Sequence, residues 1–160
     1  MPTNAEKAIE IWKKLEGKPE GTGEWLLVDQ ARINMFADAT LDHQFIHVDP
    51  EKAAQFSPFK VTIAHGYLTL SLIPHLQGGI PMADPKGYEG IMMGINYGLD
   101  KVRFPSPVKV NSRVRAHREL MTAELVNPST IQLKQKITIE IENEPKPACV
   151  AETLVRLIFA

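Results

Sequence analysis

A single cysteine, Cys149, leaves this chain of 160 residues without an internal disulfide. It lies in the apolar run 148–150, where a thiol ordinarily behaves as a small buried hydrophobe, so it reads as structural rather than reactive. An excess of one charge is also lacking. Eighteen Lys and Arg face nineteen Asp and Glu, a formal net charge of -1, so no overall positive field is available to gather a phosphate backbone and nucleic acid is not an expected partner. No uncharged apolar run approaches the length of about 18 residues that a spanning helix needs, so no membrane insertion is expected. The apolar stretch at 1–12 is interrupted by Glu6, Lys7 and Glu10, unlike a secretory signal, which makes the cytoplasm the default compartment. What remains is 44% hydrophobic and 23% charged, the balance of an ordinary globular protein long enough for one core.

Apolar periodicity divides the chain in two. Residues 4–16 place Ala8, Ile9, Trp12 and Leu15 at helical spacing before Gly17 and Pro19, which gives an N-terminal helical extension over 1–19 and a main domain over 20–160. A short strand follows at 24–28. Asp29 then caps a helix carrying Ile33, Phe36, Ala37 and Leu41 on one face, and Pro50 opens a further helical piece. The segment 66–76 is apolar on most sides, which predicts a helix engulfed by other elements, with Pro74 either kinking or ending it. Beyond residue 90 the period changes to two. Strands are expected at 91–97, at 108–117, at 131–141 after the turn residues Asn127, Pro128 and Ser129, and at 148–159. One very apolar helix and one antiparallel sheet predict an α+β fold with the curved sheet wrapped around the helix.

The densest polar cluster is 42–49, DHQFIHVD. Asp42 and His47 stand too far apart to share one helix turn, but a looped segment can bring both to one point. Solvated surface, metal ligation and acid–base catalysis all suit such a pair. The HExxH arrangement is absent and no cysteine accompanies the histidines, which counts against a metal. His43 reads as a surface residue and Asp49 as a helix cap. The second constellation is 63–66, IAHG, at the entrance to the apolar helix: first-turn amides there are unpaired, Gly66 permits close approach by a ligand oxygen, and His65 reads as a capped or packed imidazole.

FADATLDHQFIHVD at 36–49, IAHGY at 63–67 and INYGLDKVRFPSPVKVNSRVR at 95–115 together resemble the MaoC-like dehydratases, the family that includes (R)-specific enoyl-CoA hydratases and the nodulation protein N relatives. The resemblance spans roughly 20–158 and implies a hotdog fold. It puts the family's catalytic aspartate on Asp42, its histidine on His47 and its oxyanion-binding glycine on Gly66. Gln44 and Phe45 stand where the family has asparagine and proline, and Pro74 stands where some hydratases have a serine.

The resemblance further implies an acyl-CoA thioester substrate, a homodimer, and reversible hydration of a trans-2-enoyl-CoA to an (R)-3-hydroxyacyl-CoA. The Gly66 N–H would polarise the thioester carbonyl while Asp42 and His47 handle water and proton. No bound cofactor and no metal are expected, because coenzyme A is part of the substrate. A hotdog thioesterase and a non-catalytic acyl-thioester binding protein are the alternatives. Lys101, Arg103, Lys109, Arg113 and Arg115 are weak candidates for the nucleotide phosphates, and Asn96 and Tyr97 for the pocket or the dimer seam.

Overall fold

The computed structural model describes residues 1–160. Its elements are α1 (Asn4–Leu15), β1 (Pro19–Thr22), β2 (Leu26–Val28), α2 (Gln30–Thr40), α3 (Phe45–Val48), α4 (Pro50–Phe56), α5 (Gly66–Ser71), α6 (Ile73–Gln77), a 3-10 turn at Pro85–Tyr88, and the strands β3 (Ile91–Arg103), β4 (Ser112–Asn127), β5 (Thr130–Ile141) and β6 (Cys149–Phe159). The sheet is antiparallel throughout, in the order β1-β4-β5-β6-β3, with β2 also paired to β4. A curved antiparallel sheet packed against a few helices is the α+β hotdog layout that the sequence suggests.

Local chemistry explains where the elements begin. Thr3 and Glu6 form a reciprocal capping box at α1, with Glu6 N donating to Thr3 Oγ1 at 3.1 Å and Thr3 N to Glu6 Oε2 at 2.8 Å. Asp29 and Asp49 cap α2 and α4 through the amides of Arg32 and Lys52. The strand expected at 108–117 begins only at Ser112, because Asn111 adopts φ 67° and turns the chain; Lys109 instead bridges to Ile63. The long apolar helix is two pieces meeting at Leu72, with Pro74 in the first turn of α6, where its missing N–H does no harm. Leu68, Ile73 and Leu76 are buried, whereas Tyr67 is 70% exposed, so the isolated chain engulfs one side of this pair and leaves the other open.

Two cores share the concave face of the sheet. One joins Leu68, Ile73 and Leu76 to Val114, Ala116, Ile137, Ile139 and Ala151. The other joins Ala5, Ala8 and Trp12 of α1 to Leu120, Ala123, Ile131, Leu133 and Phe159, so the N-terminal helix seals half of the face. Arg118 and Gln135 lie in sequence between these apolar sets on β4 and β5, and both bond the buried Glu20 carboxylate, at 3.0 and 2.8 Å. A buried charge persists only when paired and hydrogen-bonded, a condition this polar belt meets.

Candidate active site

Three short segments converge beside α5. The first leaves α2 through Leu41, whose φ of 66° is the left-handed cap that turns the chain toward Asp42. The second is α3, a single turn carrying His47 where the sequence suggested a loop. The third is the stretch 61–66 leading into α5. A backbone bond ties the third to the second, Ile63 N to Ile46 O at 3.0 Å, and Ala64 N donates to Val108 O at 2.8 Å.

Side chains complete the assembly. His47 is buried, and its Nδ1 donates to the Ile63 carbonyl at 2.7 Å. A carbonyl only accepts, so Nδ1 carries the proton and Nε2 keeps a lone pair. Gln30 clamps the same region, donating to the His47 carbonyl at 2.7 Å while accepting from the Thr62 hydroxyl at 2.5 Å. His65, 3% exposed, stacks on His47 with ring centroids 3.8 Å apart and 22° between planes, and its Nε2 donates to the Asp42 carbonyl at 3.0 Å. Asp42 keeps an exposed carboxylate. One ligand-type atom each from Asp42, His47 and His65 lies within 4.8 Å of the other two.

This arrangement suits proton transfer better than metal ligation. A metal needs lone pairs converging on one point, whereas His47 and His65 stack at 3.8 Å with 22° between planes, so lone pairs lying in the two ring planes run side by side. Burial holds the His47 imidazole below its ordinary value of 6.5, and His65 adds to the effect, while the Ile63 bond and the Asp42 charge oppose it. The neutral, proton-accepting form is the resting one.

His47 and Gly66 line one cleft of about 300 Å³, together with Phe59, Ile63, Ala64, Thr69, Phe104, Ser106, Pro107, Val108 and Ala148. No protein acceptor takes the Gly66 N–H at the start of α5. A Cβ on Gly66 would meet the Phe104 ring at 3.1 Å, so a side chain there would crowd the cleft wall. The structure thus places His47 in one cleft with Gly66 and within 4.8 Å of Asp42, which stands beside His47 but outside the residues that line the cleft. Gln30, Thr62 and Phe104 were missed, and only the nearness of Thr62 to the IAHG segment hinted at them.

The weaker candidates fall elsewhere. His43 bonds Asp38 on the exposed surface at 2.9 Å. Arg113 and Arg115 are paired with Glu142 and Glu140, and Arg103 bonds the Val102 carbonyl. Asn96 and Tyr97 line a separate cavity of about 390 Å³ between α5, α6 and the β3 and β6 strands, where Tyr97 also lies under Arg156. Cys149 is buried, with its thiol pushed up to about 11.

The profile of the MaoC like domain family matches residues 12–143. The 3-hydroxyacyl-thioester dehydratase Z of Mycobacterium tuberculosis is 49% identical over 142 residues, covering 89% of this chain and 90% of that protein. Nodulation protein N of Rhizobium leguminosarum bv. viciae is 48% identical over 144 residues, covering 89% and 86%. The solved structure of the (R)-hydratase from A. caviae superposes with a TM-score of 0.63 at 24% identity, covering 84% of this chain and 95% of that one, a likeness of fold.

Proposed function

The chain belongs to the MaoC like domain family, and from that premise we propose that it is an enoyl-CoA hydratase acting equally as a 3-hydroxyacyl-CoA dehydratase, a hydro-lyase that interconverts a trans-2-enoyl-CoA and an (R)-3-hydroxyacyl-CoA. The relative named a 3-hydroxyacyl-thioester dehydratase, with 49% identity over most of both chains, supports the reaction class. The observation that carries the proposal for this chain is the His47 imidazole, fixed by Ile63 with a free Nε2 lone pair, beside the Asp42 carboxylate and in one cleft with the unpaired Gly66 amide.

The chemistry follows from those groups. The Gly66 N–H donates to the thioester oxygen and stabilises the charge that develops on it, which makes the β-carbon electrophilic. Asp42 orients a water, and His47 Nε2 removes its proton as the oxygen bonds to the β-carbon. The π electrons move to the α-carbon and carbonyl, and protonated His47 returns the proton to the α-carbon. Dehydration is the same path reversed. Every step uses groups of the chain and substrate, so the proposal includes no resident metal or cofactor.

Assembly belongs to the same proposal. The edge strand β3 spans 13 residues with one side unpaired and exposes Met92, Met93, Ile95, Tyr97 and Leu99. A long apolar edge invites a second strand, and a second copy of this chain fits it, giving a homodimer of the 20–160 domain with 1–19 as a helical extension. No helix is long and apolar enough to cross a membrane, and the cytoplasm is the proposed compartment.

Product analysis tests the activity. With a trans-2-enoyl-CoA and its saturated counterpart, hydration consumes only the unsaturated thioester, loses the conjugated absorbance and yields the (R)-alcohol. Release of free coenzyme A from both would identify a thioesterase, and binding without turnover would identify a carrier.

A further inference from the structure

Resting on the hydratase reading of the site, the geometry points to His65 as a positioning residue that holds the reacting pair together, its Nε2–H fixing the main chain of Asp42 and its ring face fixing the imidazole of His47. It touches both partners at once. The Asp42 carbonyl receives no backbone N–H, and His65 is its donor at 3.0 Å. On one face His65 stacks on His47 at 3.8 Å; Phe36 of α2 packs against the ring at 4.9 Å and 58°. The ring is thus wedged between the helix that delivers Asp42 and the turn that delivers His47.

A filling role does not account for the residue. A buried apolar ring would occupy the same space with no polar atom to satisfy, whereas His65 leaves its Nδ1 buried without a partner. What offsets that unmet nitrogen is the Nε2–H bond, directed at the one segment that carries the exposed catalytic carboxylate. Asp42 otherwise has only a weak local tie, its Oδ1 accepting from Gln44 N at 3.3 Å. Without His65 the loop after Leu41 is free to shift, and displacement on the order of 1 Å at a reacting group costs about 100-fold in rate. The stack also keeps water from one face of His47. The titratable groups facing His47 are Asp42 from the loop after α2 and His65 from the entrance to α5, while α2 itself presents the uncharged Gln30.

Two substitutions divide the roles. His65→Phe keeps a flat ring and loses the donor; His65→Gln keeps an N–H donor and loses the ring. With trans-2-enoyl-CoA as substrate, His65→Phe is expected to lower kcat by about 10- to 100-fold with KM within about twofold. His65→Gln is expected to move the acid limb of the rate profile and the His47 NMR titration to higher pH. Nitrogen-15 NMR of the wild-type protein supplies a readout independent of turnover and of variant folding: the His65 Nε2 must carry a proton. A neutral Nδ1–H form of His65, wild-type kcat in folded His65→Phe, or an unmoved His47 titration in folded His65→Gln would each overturn the proposal. Absence of hydration by the wild-type protein overturns the hydratase reading instead, and the tautomer and titration still decide how His65 holds the pair.

Discussion

His47 gives its only ring proton to the carbonyl of Ile63, 2.7 Å away, and so meets the cleft as a base. Burial depresses its affinity for a second proton below the ordinary 6.5. Hydration is therefore expected to hold a plateau through neutral pH and to fall on an acid limb lying below 6.5. Stability follows the same sign. The contribution of neutral His47 is fully present above the unfolded value and is lost as pH falls from there through the lower folded value. Urea melts at about pH 7.5 and about pH 5.5 should differ less in His47→Gln than in the wild type. An acid limb above 6.5 would contradict the assignment.

The pair itself is tested by isosteric change. Asp42→Asn keeps the size of an exposed side chain and removes its charge, and His47→Gln removes the base while retaining a polar group. Each is expected to reduce kcat by about 100-fold or more, with a folded circular dichroism spectrum. Turnover is followed by loss of the conjugated thioester absorbance, and wild-type rates in either folded variant would rule out the mechanism.

Gln30 lies outside the reacting groups but secures two of their segments, bonding the His47 carbonyl and the Thr62 hydroxyl. Gln30→Ala strands a buried hydroxyl and frees α3, so a loss of about 1–3 kcal/mol in urea denaturation is expected. A fall in kcat of about 10-fold should accompany it, because His47 then loses the bond that Gln30 makes to its carbonyl. Unchanged stability would mean that Gln30 is a bystander.

Gly66→Ala keeps the amide N–H yet places a methyl 3.1 Å from the Phe104 ring. The expected result is a destabilisation of about 1–2 kcal/mol with a higher KM. Phe104→Leu in the same chain should recover part of both losses by making room. Full activity of Gly66→Ala alone would show that the cleft wall yields freely.

How much of this was legible beforehand differs by element. Strict alternation at 131–141 marked β5 almost to the residue, because a half-buried strand must alternate, and Asp29 and Asp49 announced their helices through cap chemistry. The second half of β4 was not visible: Arg118 and Glu119 interrupt the apolar rhythm, and Arg118 points into a buried polar belt whose partner, Glu20, is 98 residues away in the chain. Asp42, His47 and Gly66 were singled out by a dense polar cluster and a helix entrance, and their expected roles came from the family resemblance rather than from periodicity. His65 and Gln30 escaped assignment because their roles consist of contacts with segments distant in the sequence, for which a single residue type carries no signal.

Assembly supplies the last prediction. The free edge of β3 carries Ile95 and Leu99, each 45% exposed, on a strand long enough to pair along much of its length. Light scattering should give twice the 17.9 kDa of one chain. Lysine at either position introduces a charge that blocks edge pairing, so Ile95→Lys and Leu99→Lys are expected to shift the mass toward one chain. Activity gives the second readout: if the completed site needs the neighbouring subunit, dilution of the lysine variants should lower specific activity well before it does so for the wild type. A wild-type protein that scatters as a single chain at assay concentration and keeps full turnover would refute both the dimer and its link to the site.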